Sequence, residues 1–301
     1  MTPVFFLSNW YSGATLLAIL LNNHRDLTCN GETFPYNRES IHSYQCSCGK
    51  MLSDCEFYQF AAQHMKKDGK WDPDSFLVLP TFSQNRLIQK WLLSFNYLSG
   101  LRNYWIKFNH HCAEVQSAFI RNHRMFYEKS IEFNNTSVYI DGTKSIRRIE
   151  LFAADDLPKM IKVFLLIRDG RGFSWSYLKN QKLPKSKLKI AAKAWIEYVE
   201  IVDKLLSRHE NIDFKLIRYE DLCHNLSGEL ASLCEFIGVD YDEKMVHTNH
   251  VYHILGNAMR KKFDGTIRED LSWKTQFNDN EVSMITDLMQ KELKRFNYIQ
   301  E

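Results

Sequence analysis

The stretch Pro3-Val-Phe-Phe-Leu7, followed by Asn9-Trp-Tyr-Ser-Gly13 and then by Ala14-Thr-Leu-Leu-Ala-Ile-Leu-Leu-Asn-Asn23, decides the fold class. A short, unbroken apolar run fits a strand buried on both faces of a parallel sheet. The turn formers after it give way to a segment that is apolar nearly all round, which predicts a buried helix over 14–23. Strand, tight turn and helix in this order form the start of a βα unit. Its turn stands where α/β sheets hold their ligands.

Working outward, apolar runs at Ser137–Ile140, Lys162–Ile167 and Phe214–Ile217 each end in turn or charged residues and lead into a helical pattern. Helical apolar stripes cover Lys187–His209, Leu226–Ile237 and Glu281–Phe296. Strands alternating with helices predict an α/β fold with a central, mostly parallel sheet flanked by helices. Residues 36–135 read as helical and aromatic (Trp91, Phe95, Tyr97, Tyr104, Trp105, Phe108, Phe126, Tyr127), without an evident strand. The expectation is one domain over 1–301 carrying a helical insertion at 36–135, a lid or acceptor wall.

Composition narrows the class. The 301 residues are 45% apolar with only 12 Gly and 6 Pro, which excludes disordered and collagen-like chains. With 39 Lys and Arg against 36 Asp and Glu, the net charge of +3 gives no broad basic stripe for nucleic acid, so any anion site is local. The apolar runs are far below membrane-spanning length. A strand that begins at Pro3 leaves no space for a signal peptide, and seven cysteines form no disulfide framework; the expected location is the cytoplasm.

Four segments carry chemistry. In the first, Ser12-Gly13-Ala14-Thr15 joins a buried strand to a buried helix, where backbone N–H groups and the helix dipole suit a phosphate. No Gly-Lys-Ser/Thr follows, so it is not a Walker A loop, which counts against a nucleotide kinase. In the second, Arg168 ends a strand and Ser176 follows eight residues later in a helix, so both reach toward one anion. The third is Phe214-Lys-Leu-Ile-Arg-Tyr219-Glu-Asp-Leu222. The fourth runs His253-Ile-Leu-Gly256-Asn257-Ala-Met-Arg260, then Ile267-Arg-Glu-Asp270 and Trp273. Each alone also reads as an ordinary turn or surface group.

Taken together and in order, these segments resemble the sulfotransferases that use 3′-phosphoadenosine-5′-phosphosulfate (PAPS), over roughly 3–34, 137–180 and 214–275. The resemblance implies a P-loop-like sulfotransferase fold. It implies that the loop from Tyr11 through Ser12, Gly13, Ala14 and Thr15 holds the 5′-phosphosulfate, and that Arg168 and Ser176 hold the 3′-phosphate. It sets Tyr219 near adenine and Gly256, Asn257 and Arg260 in a late loop over the nucleotide. Adenosine 3′,5′-bisphosphate is the implied product. The segment from Asn23 to Thr33 is similar to the part of tyrosylprotein and bacterial sulfotransferases where a glutamate is the catalytic base, and Glu32 occupies that position. A carboxylate in a partly dry cleft suits that role. His110 and His111 are the runner-up bases, and Glu32 also reads as a helix-capping or surface residue.

In Asp141-Gly-Thr-Lys144-Ser, Lys144 resembles the lysine that approaches the sulfuryl group, and equally reads as an exposed lysine after a strand. The aromatic insertion suits a small or amphipathic molecule, a sugar, a lipid or a peptide tyrosine equally well as acceptor, through a hydroxyl first and an amine second. No catalytic metal is implied. One departure stands out: family members usually carry Arg or Lys before the Ser-Gly of the first loop, and this chain has Tyr11. Lys144 and Arg171 are the candidate replacements, and a nucleotide-binding homologue without transfer activity is the alternative reading. Cys46-Ser-Cys48-Gly with Cys55 reads as a local disulfide, free thiols, or a zinc site completed by Cys29 or His42, although the spacing is not that of a zinc finger. A similar cluster recurs in bacterial members of the family.

Overall fold

Strand β1 (Val4–Ser8) is buried at every position and lies at the centre of a parallel sheet, as its unbroken apolar run requires. The computed structural model describes residues 2–32, 43–67, 79–94, 99–155, 160–247, 253–257 and 259–300. Strands β2 (Leu27–Thr28), β3 (Val138–Asp141), β4 (Ile161–Ile167) and β5 (Ile212–Arg218) complete the sheet in the order β2-β3-β1-β4-β5, every pair parallel. The register sets Phe5 opposite Asp141 on one side and Val163 on the other. The loops after β3, β1 and β4 therefore leave the sheet side by side at its carboxyl edge.

The helices are α1 (Ala14–Asn22), α2 (Glu56–Lys67), α3 (Arg86–Leu93), α4 (Ser99–Phe108), α5 (His110–Asn134), α6 (Ile146–Ala153), α7 (Gly170–Asn180), α8 (Leu188–Arg208), α9 (Tyr219–His224), α10 (Leu226–Ile237), α11 (Met259–Lys262), α12 (Trp273–Gln276), α13 (Asp279–Leu288) and α14 (Gln290–Arg295). Successive strand side chains point to opposite faces. Val4, Phe6, Phe164 and Leu166 thus pack with α1 and α10, while Phe5, Leu7, Val163, Leu165 and Ile167 pack with α5, α6, α7 and α8. Each such side chain contributes about 1.5–3 kcal/mol by leaving water. Because α1 lies between the sheet and the segment around Met245 and Ile254, it is apolar nearly all round rather than on one stripe.

The second face also takes in Phe57, Leu92, Ile106 and Phe126 from 43–134, so this helical segment shares its core with the sheet. A buried ionic group fastens it further: Glu150 on α6 accepts from Arg102 of α4 and from Arg147, which also donates to the Leu92 carbonyl at 2.8 Å. Among the described residues of 43–135 there is helix and one isolated bridge, Gln45 with Met51, but no strand. Phe95 and Tyr97 lie outside the described residues. No helix among the described residues is long and apolar enough to cross a membrane.

Two differences from the expected elements have local causes. The edge strand β2 is two residues long, too short for any alternation, and exists through its pairing with Val138 and Tyr139. The single helix expected over Glu281–Phe296 breaks at Met289, whose φ of −103° and ψ of 9° leave helical values. Its side chain is fully buried against Gly170, a contact that the apolar periodicity does not encode.

Candidate functional site

The loop after β1 enters α1 through Gly13, at φ 87° in the left-handed region. A Cβ there would stand 2.8 Å from the Tyr219 ring, so both backbone and space require glycine. Helix α1 opens at Ala14 with no capping side chain and no acid in its first turn, which leaves its N–H groups and positive dipole end unopposed. Ser12 and Thr15 are buried beside it, and the Ser12 hydroxyl turns to the Trp10 carbonyl at 3.4 Å. Asn9 Nδ2 is buried without a hydrogen-bond partner among the described residues, a donor that sequence reading missed. This end of the helix suits an anion.

Arg168 leaves β4 beside this loop and is 5% exposed. It donates to Ser176 Oγ at 3.1 Å and to the Tyr11 carbonyl at 3.2 Å, so the pair expected from sequence spacing is in contact and touches the first loop. Its other arm donates to the Asp270 carbonyl at 2.6 Å and lies 3.3 Å from the Asp270 carboxylate. Burial would raise that carboxyl, but Ser272 and Arg168 hold it below its ordinary value. The guanidinium also stacks over the Tyr219 ring at 5.0 Å. Tyr219 itself bridges to the late loop, its hydroxyl donating to the Arg268 carbonyl at 3.0 Å and accepting from the Asp270 N–H. The carboxylate of Asp270 beside Arg168 had no sequence signal beyond its nearness to Trp273.

On the other side of β1, Lys144 Nζ donates to Glu32 Oε1 at 2.7 Å. The two candidates for proton and charge handling are thus one ion pair, with side chains 16% and 18% exposed. The loop that carries Lys144 is set by Asp141, which accepts from the Thr143 N–H at 2.9 Å, from Arg148 at 2.8 Å and from the Tyr127 hydroxyl. Burial would raise the Asp141 carboxyl, but Arg148, Thr143 and Tyr127 hold it below its ordinary value. A Cβ at Gly142 would meet the Gly31 carbonyl at 2.8 Å, so the two loops approach as closely as backbone allows. Tyr11 and Lys144, at φ 60° and 62°, are two of five non-glycine residues in the left-handed region among the described residues, a conformation costing about 1–2 kcal/mol each.

The late loop closes this edge. Leu255 bridges Gly31 in parallel, and its carbonyl accepts from the Glu32 N–H at 3.3 Å. A Cβ on Gly256 would stand 3.2 Å from Thr15 Oγ1, which brings this loop onto the first one. The Asn257 side chain accepts from the Met259 N–H at 3.0 Å, where α11 begins. Arg260 lies over the Tyr44 ring at 4.7 Å and donates to the carbonyls of Gly256, Asn257 and Gln45, so it braces the loop from within.

The remaining candidates are placed apart. The Tyr11 hydroxyl accepts from Gln181 Nε2 at 3.0 Å, on the Ser176 side of the loop. Arg171 is bound to the Asp169 carboxylate at 2.7 Å and lies over Trp273, away from Lys144. His110 and His111 are exposed on the first turn of α5, with His110 beside Glu114. The cysteines Cys46, Cys48 and Cys55 do gather, but with His253 rather than Cys29. His42 lies outside the described residues.

No family model matches the chain, and no curated protein matches it. Among solved structures, it is similar to the sulfotransferase domain from the curacin biosynthetic pathway, at a TM-score of 0.51 and 15% identity over 96% of this chain and 98% of that one. The sulfotransferase domain from the olefin synthase of Synechococcus PCC 7002 gives 0.49 and 15%, over 96% and 94%. A sulfotransferase from Mycobacterium avium gives 0.43 and 11%, over 98% and 76%. The α/β fold expected from the first βα unit is thus that of a sulfotransferase domain.

Proposed function

We propose that the chain is a PAPS-dependent sulfotransferase, a single domain over 1–301 that moves the sulfuryl group to an acceptor hydroxyl. The observation that carries this reading is the pairing of Arg168 with Ser176 at 3.1 Å on one flank of the uncapped start of α1, with Lys144 and Glu32 on the other. In this reading the N–H groups of Gly13, Ala14 and Thr15, with Ser12 and Tyr11 beside them, hold the 5′-phosphosulfate. Arg168 and Ser176 hold the 3′-phosphate, Tyr219 borders the adenine, and the loop at Gly256, Asn257 and Arg260 covers the nucleotide. Glu32 takes the proton of the acceptor hydroxyl as its oxygen bonds to sulfur. The bond from sulfur to the 5′-phosphate oxygen breaks, and Lys144 offsets the charge gathering there. Alignment and charge do most of the work, as in phosphoryl transfer.

The acceptor is a small-molecule, sugar or lipid hydroxyl facing the aromatic helical segment. A cytoplasmic location agrees with seven unpaired cysteines. A binding protein without transfer is the second reading, favoured by Tyr11 at a position where the family carries a cation. Purified protein incubated with PAPS and a panel of alcohols, sugars and amines tests both. Release of adenosine 3′,5′-bisphosphate coupled to a sulfated product is expected. Tight bisphosphate binding with no product from any acceptor class refutes transfer, and equal affinity for adenosine 5′-monophosphate refutes the donor site.

A further inference from the structure

We propose that Cys46, Cys48, Cys55 and His253 bind one zinc ion as a closed structural site that clamps the late loop to the base of the helical insertion. The four ligand atoms all lie within 4.8 Å of one another. Tetrahedral zinc with thiolates at about 2.3 Å holds neighbouring sulfurs about 3.8 Å apart, and sulfur and imidazole nitrogen about 3.5 Å apart. Cys48 Sγ and Cys55 Sγ are 3.8 Å apart, far beyond a disulfide bond. His253 Nδ1 lies 3.1 Å from Cys55 Sγ and 3.9 Å from Cys46 Sγ, on either side of the expected value.

The surroundings favour the metal as well. Cys46 and Cys55 are fully buried. The imidazole of His253 is stacked on Phe57 at 5.7 Å and met edge-on by Phe133 at 5.4 Å, which fixes its plane and dries the site. A tight turn brings Cys46 and Cys48 together, with the Gly49 N–H donating to the Cys46 carbonyl at 3.0 Å and Gly49 at φ 87°. Three thiolates and one imidazole suit zinc, and four protein ligands leave no open position for catalysis. Sequence reading missed His253 because it lies 198 residues beyond Cys55.

What the ion would hold follows from the chain. His253 begins the segment whose Leu255 pairs with Gly31 and whose Gly256 lies against Thr15. Ser47 is already stitched to Ile254, donating from its N–H at 3.2 Å and accepting from the Ile254 N–H at 2.8 Å. Zinc would turn these few hydrogen bonds into a cross-link between residues far apart in sequence.

The experiment uses the full chain, purified under reducing conditions without chelator. About one zinc per chain is expected by elemental analysis, and cobalt exchange should give the intense thiolate charge-transfer and visible bands of a tetrahedral sulfur-rich site. Stripping zinc should raise amide exchange at 44–48 and 253–257, and returning it should reverse this. Cys48→Ser and His253→Ala should each lower zinc affinity by roughly 10-fold or more. A chain that carries no zinc and gives no tetrahedral cobalt bands overturns the site, as does a Cys48–Cys55 disulfide in the isolated protein. An unchanged cobalt spectrum in His253→Ala overturns the fourth ligand. None of these readouts depends on sulfuryl transfer, so the site and the proposed activity stand or fall separately.

Discussion

Replacing Arg168 by alanine should separate two nucleotides that differ only in the 3′-phosphate. The guanidinium is 5% exposed and already donates to Ser176, to Tyr11 and to the Asp270 carbonyl, with the Asp270 carboxylate 3.3 Å away. A charge-assisted contact to a phosphate contributes about 1.5–3 kcal/mol. A 3′-phosphate arriving here displaces the Asp270 carboxylate, which is 44% exposed and so worth only about 0.5 kcal/mol as a partner. The net contribution is then about 1–2.5 kcal/mol, or roughly 5- to 60-fold in affinity. Calorimetric titration should show that loss in Arg168→Ala for adenosine 3′,5′-bisphosphate and little change for adenosine 5′-monophosphate. Asp270→Asn removes the competitor and should tighten bisphosphate binding about 2-fold, an effect that fades with salt. Equal losses for both nucleotides in Arg168→Ala, with the variant still folded by thermal melt, would refute the assignment.

Glu32→Gln should leave bisphosphate affinity unchanged and lower turnover by roughly 10²- to 10⁴-fold; near-normal turnover on an accepted substrate moves the base elsewhere. Lys144→Ala should lower kcat by roughly 10²-fold with the donor Kd nearly unchanged, measured on the same substrate, and Lys144→Arg should recover part of it. Glu150→Ala strands Arg102 and Arg147, both buried, and should lower unfolding free energy by about 3–5 kcal/mol in a urea titration; a loss below about 1 kcal/mol means that the ionic group does not fasten the helical segment. The Asp141 carboxyl is held low in the fold, so its contribution to stability is fully present above its ordinary value of 3.8 and is lost as pH falls through the lower folded value. Asp141→Asn should therefore lower the melting temperature at neutral pH and flatten its fall on acidification below about pH 4, and an unchanged acid profile would exclude Asp141 as a contributor.

The parts legible in the sequence are those whose cause is local. Strands β1 and β4 announce themselves because a central parallel strand is buried on both faces, and the Arg168–Ser176 pair does because a strand end and two helical turns fix its geometry. Glu32 and Lys144 are each visible as single residues after strands, yet their contact spans 112 positions and arises only because β3 lies between β1 and β2. The same holds for His253 among the cysteines and for Asp270 on Arg168. Tertiary pairing supplies these, and no periodicity records it. Arg171 shows the converse, since a cation well placed in sequence is held by its own neighbour Asp169.

The tyrosine at position 11 and the Glu32–Lys144 ion pair bear on one another. Arg171 is held by Asp169 and Tyr11 by Gln181, which leaves Lys144 as the one of the three proposed groups on the flank of β3. While its ammonium sits on Glu32 Oε1, the lone pair it engages is closed to the acceptor hydroxyl. Movement of the ammonium onto the departing oxygen as charge gathers there would free the carboxylate in the same step. Leaving-group stabilisation and base release then become one event. Lys144→Ala frees the base but leaves the departing oxygen uncompensated, and Glu32→Gln frees the cation but leaves the acceptor proton in place. Each single change also removes the cost of parting the pair, so the double variant should lose more than the product of the two single losses, whereas unlinked contributors would simply multiply theirs.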